Sequence, residues 1–140
     1  MSAESQSLTV FIVDDNPGDR TLIHRMLDEF APGRFQIEEA WNLADALRRL
    51  RAGGIDVLLL DLNLPDSRGV NSLSRVQTVS PGVPVIVVTG ADDRQAVAAL
   101  LASSGRQYFV KGQFNAQMLG STIEQYLAAK DGLTPESGGK

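Results

Sequence analysis

Five apolar stretches alternate along the chain with five segments of helical period. Leu8–Val13 (LTVFIV), residues 57–60 and residues 85–88 are continuous or nearly continuous apolar runs. Such runs suit strands covered by helices on both faces, as in a parallel sheet. Residues 34–39 (RFQIEE) alternate instead, with Phe35 and Ile37 on one face, and Tyr108–Val110 is short. These two weaker strands are expected at the sheet edges. Leu22, Ile23, Met26, Leu27 and Phe30 form one face of a first predicted helix that opens near Pro17. Leu43, Ala46, Leu47 and Leu50 form the second, with Asn42 as N-cap. A third runs from Val70 to Val79. Ala96, Val97, Leu100 and Leu101 mark a fourth, capped by Asp92 or Asp93. Met118, Leu119, Ile123, Tyr126 and Leu127 mark a fifth, which Asn115 caps. Alternating β and α units with short connections predict a right-handed, doubly wound α/β fold, a (βα)5 parallel five-stranded sheet with helices on both faces.

Composition narrows the function. A chain of 140 residues suits one domain, predicted over 8–129, with flexible ends at 1–7 and 130–140. The last ten residues read DGLTPESGGK, a composition that cannot bury a core. With no cysteine there is no disulfide framework, thiolate metal site or cysteine nucleophile. With His24 alone, a multi-histidine metal site is excluded. The charge balance, 13 Lys+Arg against 17 Asp+Glu, and a pI near 4.9 argue against direct nucleic-acid binding, which draws on clustered Lys and Arg. No signal-like start and no apolar run near the roughly 20 residues of a membrane span is present, so the chain is expected in the cytoplasm and off the membrane.

In doubly wound sheets, ligands bind outside the carboxyl ends of the strands. Asp14 and Asp15 follow the first strand, Asp61 the third, Thr89 the fourth and Lys111 the fifth, whereas the second runs into Ala40 and Trp41. Three carboxylates, a hydroxyl and an ammonium therefore converge on one rim. Three clustered aspartates repel one another and raise their own pKa values unless a cation sits among them. A hard divalent ion such as Mg²⁺ is suited to oxygen ligands of this kind. Lys111 and the metal can neutralise a transferring phosphoryl group while Thr89 donates a hydrogen bond to it. An aspartate can itself be the nucleophile.

The segments FIVDDNPGD (11–19), LLLDLNLPDSRG (58–69), VIVVTGA (85–91) and YFVKG (108–112) resemble the receiver domain of two-component response regulators. The resemblance covers residues 8 to 129 and implies the flavodoxin-like strand order 2-1-3-4-5. It implies Asp61 as the phosphoacceptor, with Asp15 and the Asn63 main-chain carbonyl joining it as direct ligands of Mg²⁺ (or Mn²⁺). Asp14 would act mainly through metal-bound water. Thr89 and Lys111 would hold the phosphoryl oxygens, and Tyr108 would be the switch aromatic that turns inward with Thr89. The implied donor is a histidine kinase or a histidine phosphotransfer protein, and the output a protein target met by the face of the fourth helix, fifth strand and fifth helix. Such a module catalyses its own phosphorylation and dephosphorylation rather than turnover of a separate substrate. The chain is expected to act as a stand-alone receiver; a fragment of a larger sensory or effector protein is the alternative.

Two departures from the family pattern stand out. Gly112 follows Lys111 where most receivers have a proline after a cis peptide. A cis bond before a non-proline residue costs about 2.5–4 kcal/mol, so the Lys111–Gly112 bond is predicted trans. Ser103-Ser104-Gly105 replaces the usual small-residue turn before the fifth strand. The LPDS-x-G and VKGQ wording resembles receivers joined to sensory kinases or cyclic-dinucleotide enzymes. Other functions fit less well. A haloacid-dehalogenase-like phosphatase wants Asp-x-Asp-x-Thr after its first strand, where this chain has Asp14-Asp15-Asn16. A flavodoxin-like cofactor binder would meet repulsion from the same acids. An unphosphorylated, receiver-like adaptor stays open because of the altered Lys111 loop. Ala98, Ala99 and Ala102 leave a low-relief side on the fourth helix that is compatible with docking or a homodimer. His24 is expected to be solvated, and Trp41 to pack at the second loop.

Overall fold

The central strands are apolar at successive positions because both of their faces are covered. The computed structural model of the protein describes residues 7–90 and 108–130. Its elements are β1 (Leu8–Val13), α1 (Pro17–Phe30), β2 (Phe35–Ala40), α2 (Leu43–Arg51), β3 (Val57–Asp61), β4 (Asn63–Leu64), β5 (Ser67–Arg68), α3 (Val70–Val79), β6 (Val85–Thr89), β7 (Tyr108–Val110) and α4 (Ala116–Lys130). The main sheet runs β2-β1-β3-β6-β7, with every pairing parallel. Counting only those five strands, this is the predicted 2-1-3-4-5 order, with the two weaker strands at the edges.

Side chains alternate across each strand, so β1, β3 and β6 feed two separate cores. Phe11, Val13, Leu58, Leu60, Val85 and Val87 meet Leu43, Ala46, Leu47 and Leu50 of α2 and Leu73 and Val76 of α3. Val10, Ile12, Val57, Leu59, Ile86 and Val88 meet Ile23 and Leu27 of α1 and Leu119, Ile123 and Leu127 of α4. Each fully buried branched side chain contributes about 1.5–3 kcal/mol through the hydrophobic effect. The two layers together hold the strand ends in one plane.

Caps start the helices where the strands' carboxyl ends require them. Asn16 accepts from the Asp19 N–H at 3.1 Å, with Pro17 at the first helical position of α1. Asn42 accepts from the Asp45 N–H at 2.8 Å, and Asn115 from the Met118 N–H at 2.8 Å. The α2 terminus takes a second cap from afar. Asp66 accepts from the N–H groups of Leu43 and Ala44 at 2.8 and 3.0 Å. These bonds hold its carboxyl below the usual range, the Leu43 bond most strongly.

Several expectations are revised. The second strand is shifted one residue to Phe35–Ala40, because Ala40 still pairs with Val13 in the β1 register. Leu22 and Met118 are exposed, since they lie on the flanks of their helices' buried stripes. Arg20 takes a buried place beside Ile23 and Leu27 in α1. Trp41 does not pack into the domain: it is 60% exposed, with the Arg20 guanidinium 5.0 Å over its ring. His24 is half-exposed but pairs with Glu39 at 3.0 Å. The loop after β3, whose Pro65, Asp66 and Gly69 are turn-forming residues, carries a two-residue antiparallel ladder, β4 against β5. Helix α4 runs through Lys130, where the flexible tail was expected to begin. The predicted fourth helix with Asp92 and Asp93, the alanines Ala98, Ala99 and Ala102, Ala91, Ser103-Ser104-Gly105 and residues 1–6 and 131–140 of the predicted flexible ends lie outside the described residues. Among the described residues no helix is long and apolar enough to cross a membrane.

Helices α1 and α4 pack closely at Gly120. A Cβ built there would lie 2.2–2.4 Å from the ring atoms of Phe30, far inside van der Waals contact. Gly120→Ala should therefore destabilise the fold by about 1–3 kcal/mol despite the better helix propensity of alanine. Urea unfolding measures this, and Phe30→Leu in the same chain should recover part of the loss. An unchanged midpoint in Gly120→Ala would contradict the packing.

Candidate functional site

Asp14 and Asp61 stand at equivalent points, at the carboxyl ends of the adjacent parallel strands β1 and β3, and share one local device. Each folds one carboxylate oxygen back onto the backbone two residues on. Asp14 Oδ1 accepts from the Asn16 N–H at 2.9 Å, and Asp61 Oδ1 accepts from the Asn63 N–H at 2.9 Å. The second oxygen of each is thereby aimed across the rim. Both residues are buried, at 2% and 3% exposure, whereas Asp15 is exposed.

Lys111 fills the space between them. It leaves the end of β7, its backbone N–H donating to the Thr89 carbonyl at 2.8 Å. Its ammonium lies 2.9 Å from Asp61 Oδ2, 3.0 Å from Asp14 Oδ2 and 2.8 Å from Asp19 Oδ2. The contacts to Asp61 and Asp19 are hydrogen bonds, whereas Asp14 Oδ2 is buried and receives none. Thr89 is fully buried at the end of β6, where its hydroxyl makes a long 3.4 Å contact to the Gly90 carbonyl. The structure thus brings Asp14, Asp15, Asp61, Asn63, Thr89 and Lys111 to one rim. Tyr108 sits two residues before Val110, which pairs with Thr89. It packs against the core on the α2–α3 side, the face that Val85 and Val87 also line.

Burial pushes the Asp61 carboxyl up to about 6, with a further rise from ionised Asp14; the Asn63 N–H and Lys111 oppose it. Burial also works against the Lys111 charge, but its contacts with the Asp19, Asp61 and Asp14 carboxylates outweigh it and hold the ammonium above its ordinary range. Asp14, Asp15 and Asp61 each offer a carboxylate oxygen within 4.8 Å of the other two. That spacing of three carboxylate oxygens, against a single ammonium at 3.0 Å from the buried Asp14 oxygen, fits a hard divalent cation bound through oxygen.

Three contributors were not singled out from the sequence. Asp19 lies in the first turn of α1, immediately after the carboxyl end of β1, and that position is the signal that places it at the same rim. Arg20 donates to the Asp14 carbonyl at 2.7 Å and to Glu39 at 3.2 Å, bracing the β1–α1 turn against β2. Asp66, through its bonds to α2, pins the loop that follows Asp61. That loop also needs Gly69, whose φ of +62° and ψ of −140° suit glycine. The Lys111–Gly112 bond is trans, as expected; among the described residues no peptide bond is cis, and Gly112 adopts φ +83°.

A family model described as response regulator receiver domain matches residues 10–124. The chain is 30% identical over 128 residues to the Glycerol metabolism activator of Pseudomonas putida, covering 91% of this chain and 57% of that protein. It is 29% identical over 86 residues to the Autoinducer 1 sensor kinase/phosphatase LuxN of Vibrio campbellii, covering 61% of this chain and 10% of that protein. A response regulator receiver domain protein from Clostridium thermocellum shares the fold, with a TM-score of 0.76 at 24% identity over 91% of this chain and 99% of its own. The chain thus spans little more than half the length of the first of these relatives and a tenth of the second.

The raised Asp61 value reverses the usual dependence of carboxylate stability on pH. An ordinary aspartate titrates near 3.9, so between about pH 4 and 6 the folded protein binds more protons at Asp61 than the unfolded chain does. The contribution of this group is complete below that window and is lost as pH rises through it. In metal-free buffer, Asp61→Asn should match the parent near pH 4 and exceed its stability by about 1–3 kcal/mol at pH 7.5. Urea unfolding at both pH values measures the gap. A less stable Asn variant at pH 7.5 would show that the ionised carboxylate is not the burden described.

Proposed function

The chain belongs to the response regulator receiver domain family, and from that membership we propose that residues 8–129 form a phosphoacceptor module with Asp61 as its nucleophile. The observation that carries this reading is the buried Asp61 carboxylate held between Asn63 and Lys111, beside Asp14 and Asp15. The donor is a phosphohistidine of a histidine kinase or phosphotransfer protein. An Asp61 oxygen forms the new O–P bond as the N–P bond breaks, and the imidazole leaves and takes up a proton. Hydrolysis of the O–P bond later returns inorganic phosphate and the free carboxylate.

Asp15, Asp61 and the Asn63 carbonyl would hold Mg²⁺ (or Mn²⁺) directly, with Asp14 acting through bound water. When bound, the ion supplies positive charge to the phosphoryl oxygens. The protein's own groups do the rest. Asn63 N–H fixes one Asp61 oxygen, so the other faces the donor. Lys111 supplies a second positive charge to the transferring group, and the Thr89 hydroxyl, now in a long contact, is available to donate to it. Turning of Thr89 toward a phosphoryl oxygen would empty space on the face where Tyr108 packs, and so link the pocket to the surface around β7 and α4. We propose output by protein contact through that surface, completed by the predicted fourth helix.

Incubation with Mg²⁺ and acetyl phosphate should add one phosphoryl group, read by intact mass. The gain should vanish in Asp61→Asn and on chelation with EDTA, and Lys111→Ala should slow it on the order of 10²-fold. No gain at any Mg²⁺ concentration would favour the unphosphorylated adaptor, and turnover of many small phosphate esters would favour a phosphatase.

A further inference from the structure

Lys111 has three N–H donors and meets three carboxylates, but those carboxylates are not equivalent. Asp14 and Asp61 belong to the group of oxygens that fits a divalent cation, and Asp19 does not. Asp19 reaches Lys111 from α1, 92 residues away in sequence, and its 2.8 Å hydrogen bond is the shortest of the three contacts. Asp19 also stands on the firmer element. Its backbone N–H is capped by Asn16, and α1 is seated by Ile23 and Leu27 in the core. Lys111 stands at a corner, followed by Gly112 at φ +83°, where nothing lies within 4 Å of the position a Cβ would take. No side chain packs at Gly112 itself; the turn is closed two residues on, by the Gln113 N–H donating to the Val110 carbonyl at 2.9 Å and by Phe114 against Phe109. Leu22, Val88 and Phe114 line the small cleft beside the pair, together with Ile23 and Gly112.

We propose that Asp19 is a positioning residue for Lys111, which rests on the phosphoacceptor reading above. When a cation engages Asp14 and Asp61, or a phosphoryl group occupies Asp61, those two carboxylates withdraw from the ammonium. Asp19 keeps one N–H of Lys111 fixed, and the remaining donors stay directed at the transferring group. The turn after Lys111 fixes the backbone, and the Asp19 tether fixes the end of the side chain. Two charged partners with well-placed hydrogen bonds in a half-buried setting are strong enough to hold a flexible four-carbon side chain in one pose.

The test uses the full chain with Asp19→Ala, Asp19→Glu, Lys111→Ala and the double variant Asp19→Ala/Lys111→Ala, each with Mg²⁺ and acetyl phosphate. Asp19 is part-exposed, so these substitutions open no core. Asp19→Ala should lower the maximal rate of phosphoryl gain about tenfold, with Asp19→Glu recovering most of it. In the Lys111→Ala background the Asp19 change should have no further effect, a non-additivity that a merely structural role would not produce. A rate in Asp19→Ala equal to or above the parent, or additive losses in the double variant, would overturn the proposal. A readout independent of phosphorylation is the ¹H–¹⁵N signal of the Lys111 ammonium in the metal-free protein. It should be sharp in the parent and broadened by exchange in Asp19→Ala; persistence of the sharp signal would also overturn the tether. Failure of the parent to gain mass would refute the phosphoacceptor reading, and the ammonium signal would still decide on Asp19.

Discussion

Two carboxylates buried side by side, Asp14 and Asp61, depend on one ammonium that comes from a strand nearly fifty residues beyond the second of them. Removing water from a carboxylate disfavours its charge, and placing a second one alongside disfavours it further. Lys111, within 3.0 Å of both, is what makes the arrangement tolerable. The balance is incomplete, since burial still leaves Asp61 titrating near 6. A rim with more carboxylates than cations is in that sense poised for a metal ion and for a group with its own negative charge to be exchanged there.

The rest of the architecture serves to keep that rim in register. Parallel pairing sets the ends of β1, β3, β6 and β7 at one edge, and the two cores above and below the sheet prevent any one strand from sliding. The turns are then braced individually. Arg20 holds the Asp14 carbonyl, Asp66 holds the loop after Asp61 to the start of α2, and the β4–β5 ladder closes that loop. These braces come from different elements, so a loop conformation near the nucleophile is tied to helix packing on the α2 side of the sheet. The Asp19–Lys111 pair brings the α1 side to bear on the same point.

Much of the fold was legible in the order of residues alone. Continuous apolar runs at β1, β3 and β6 signal strands covered on both faces, and the weaker runs marked the edges. The residue after each strand was legible for the same reason: topology places strand ends together, whatever the side chains do. Flanking positions were not. Leu22 and Met118 satisfy helical periodicity as well as Ile23 and Leu119 do, and only the curvature of neighbouring elements decides which side of a stripe is covered. Trp41, read as packing, is exposed beneath the Arg20 guanidinium, a contact across the β1–α1 and β2–α2 turns that local pattern does not encode.

By itself, the sequence determined the main helices and strands among the described residues, the strand-end acids and the lack of any cysteine, because these depend on local periodicity and residue identity. It could not determine which acid each cation meets. Asp19, Arg20 and Asp66 look like ordinary helix-start and turn residues locally, and their partners Lys111, Glu39 and Leu43 lie 92, 19 and 23 residues away. Such pairings are decided only when packing brings remote elements within hydrogen-bond distance, since a charge interacts with whatever is near in space rather than in sequence.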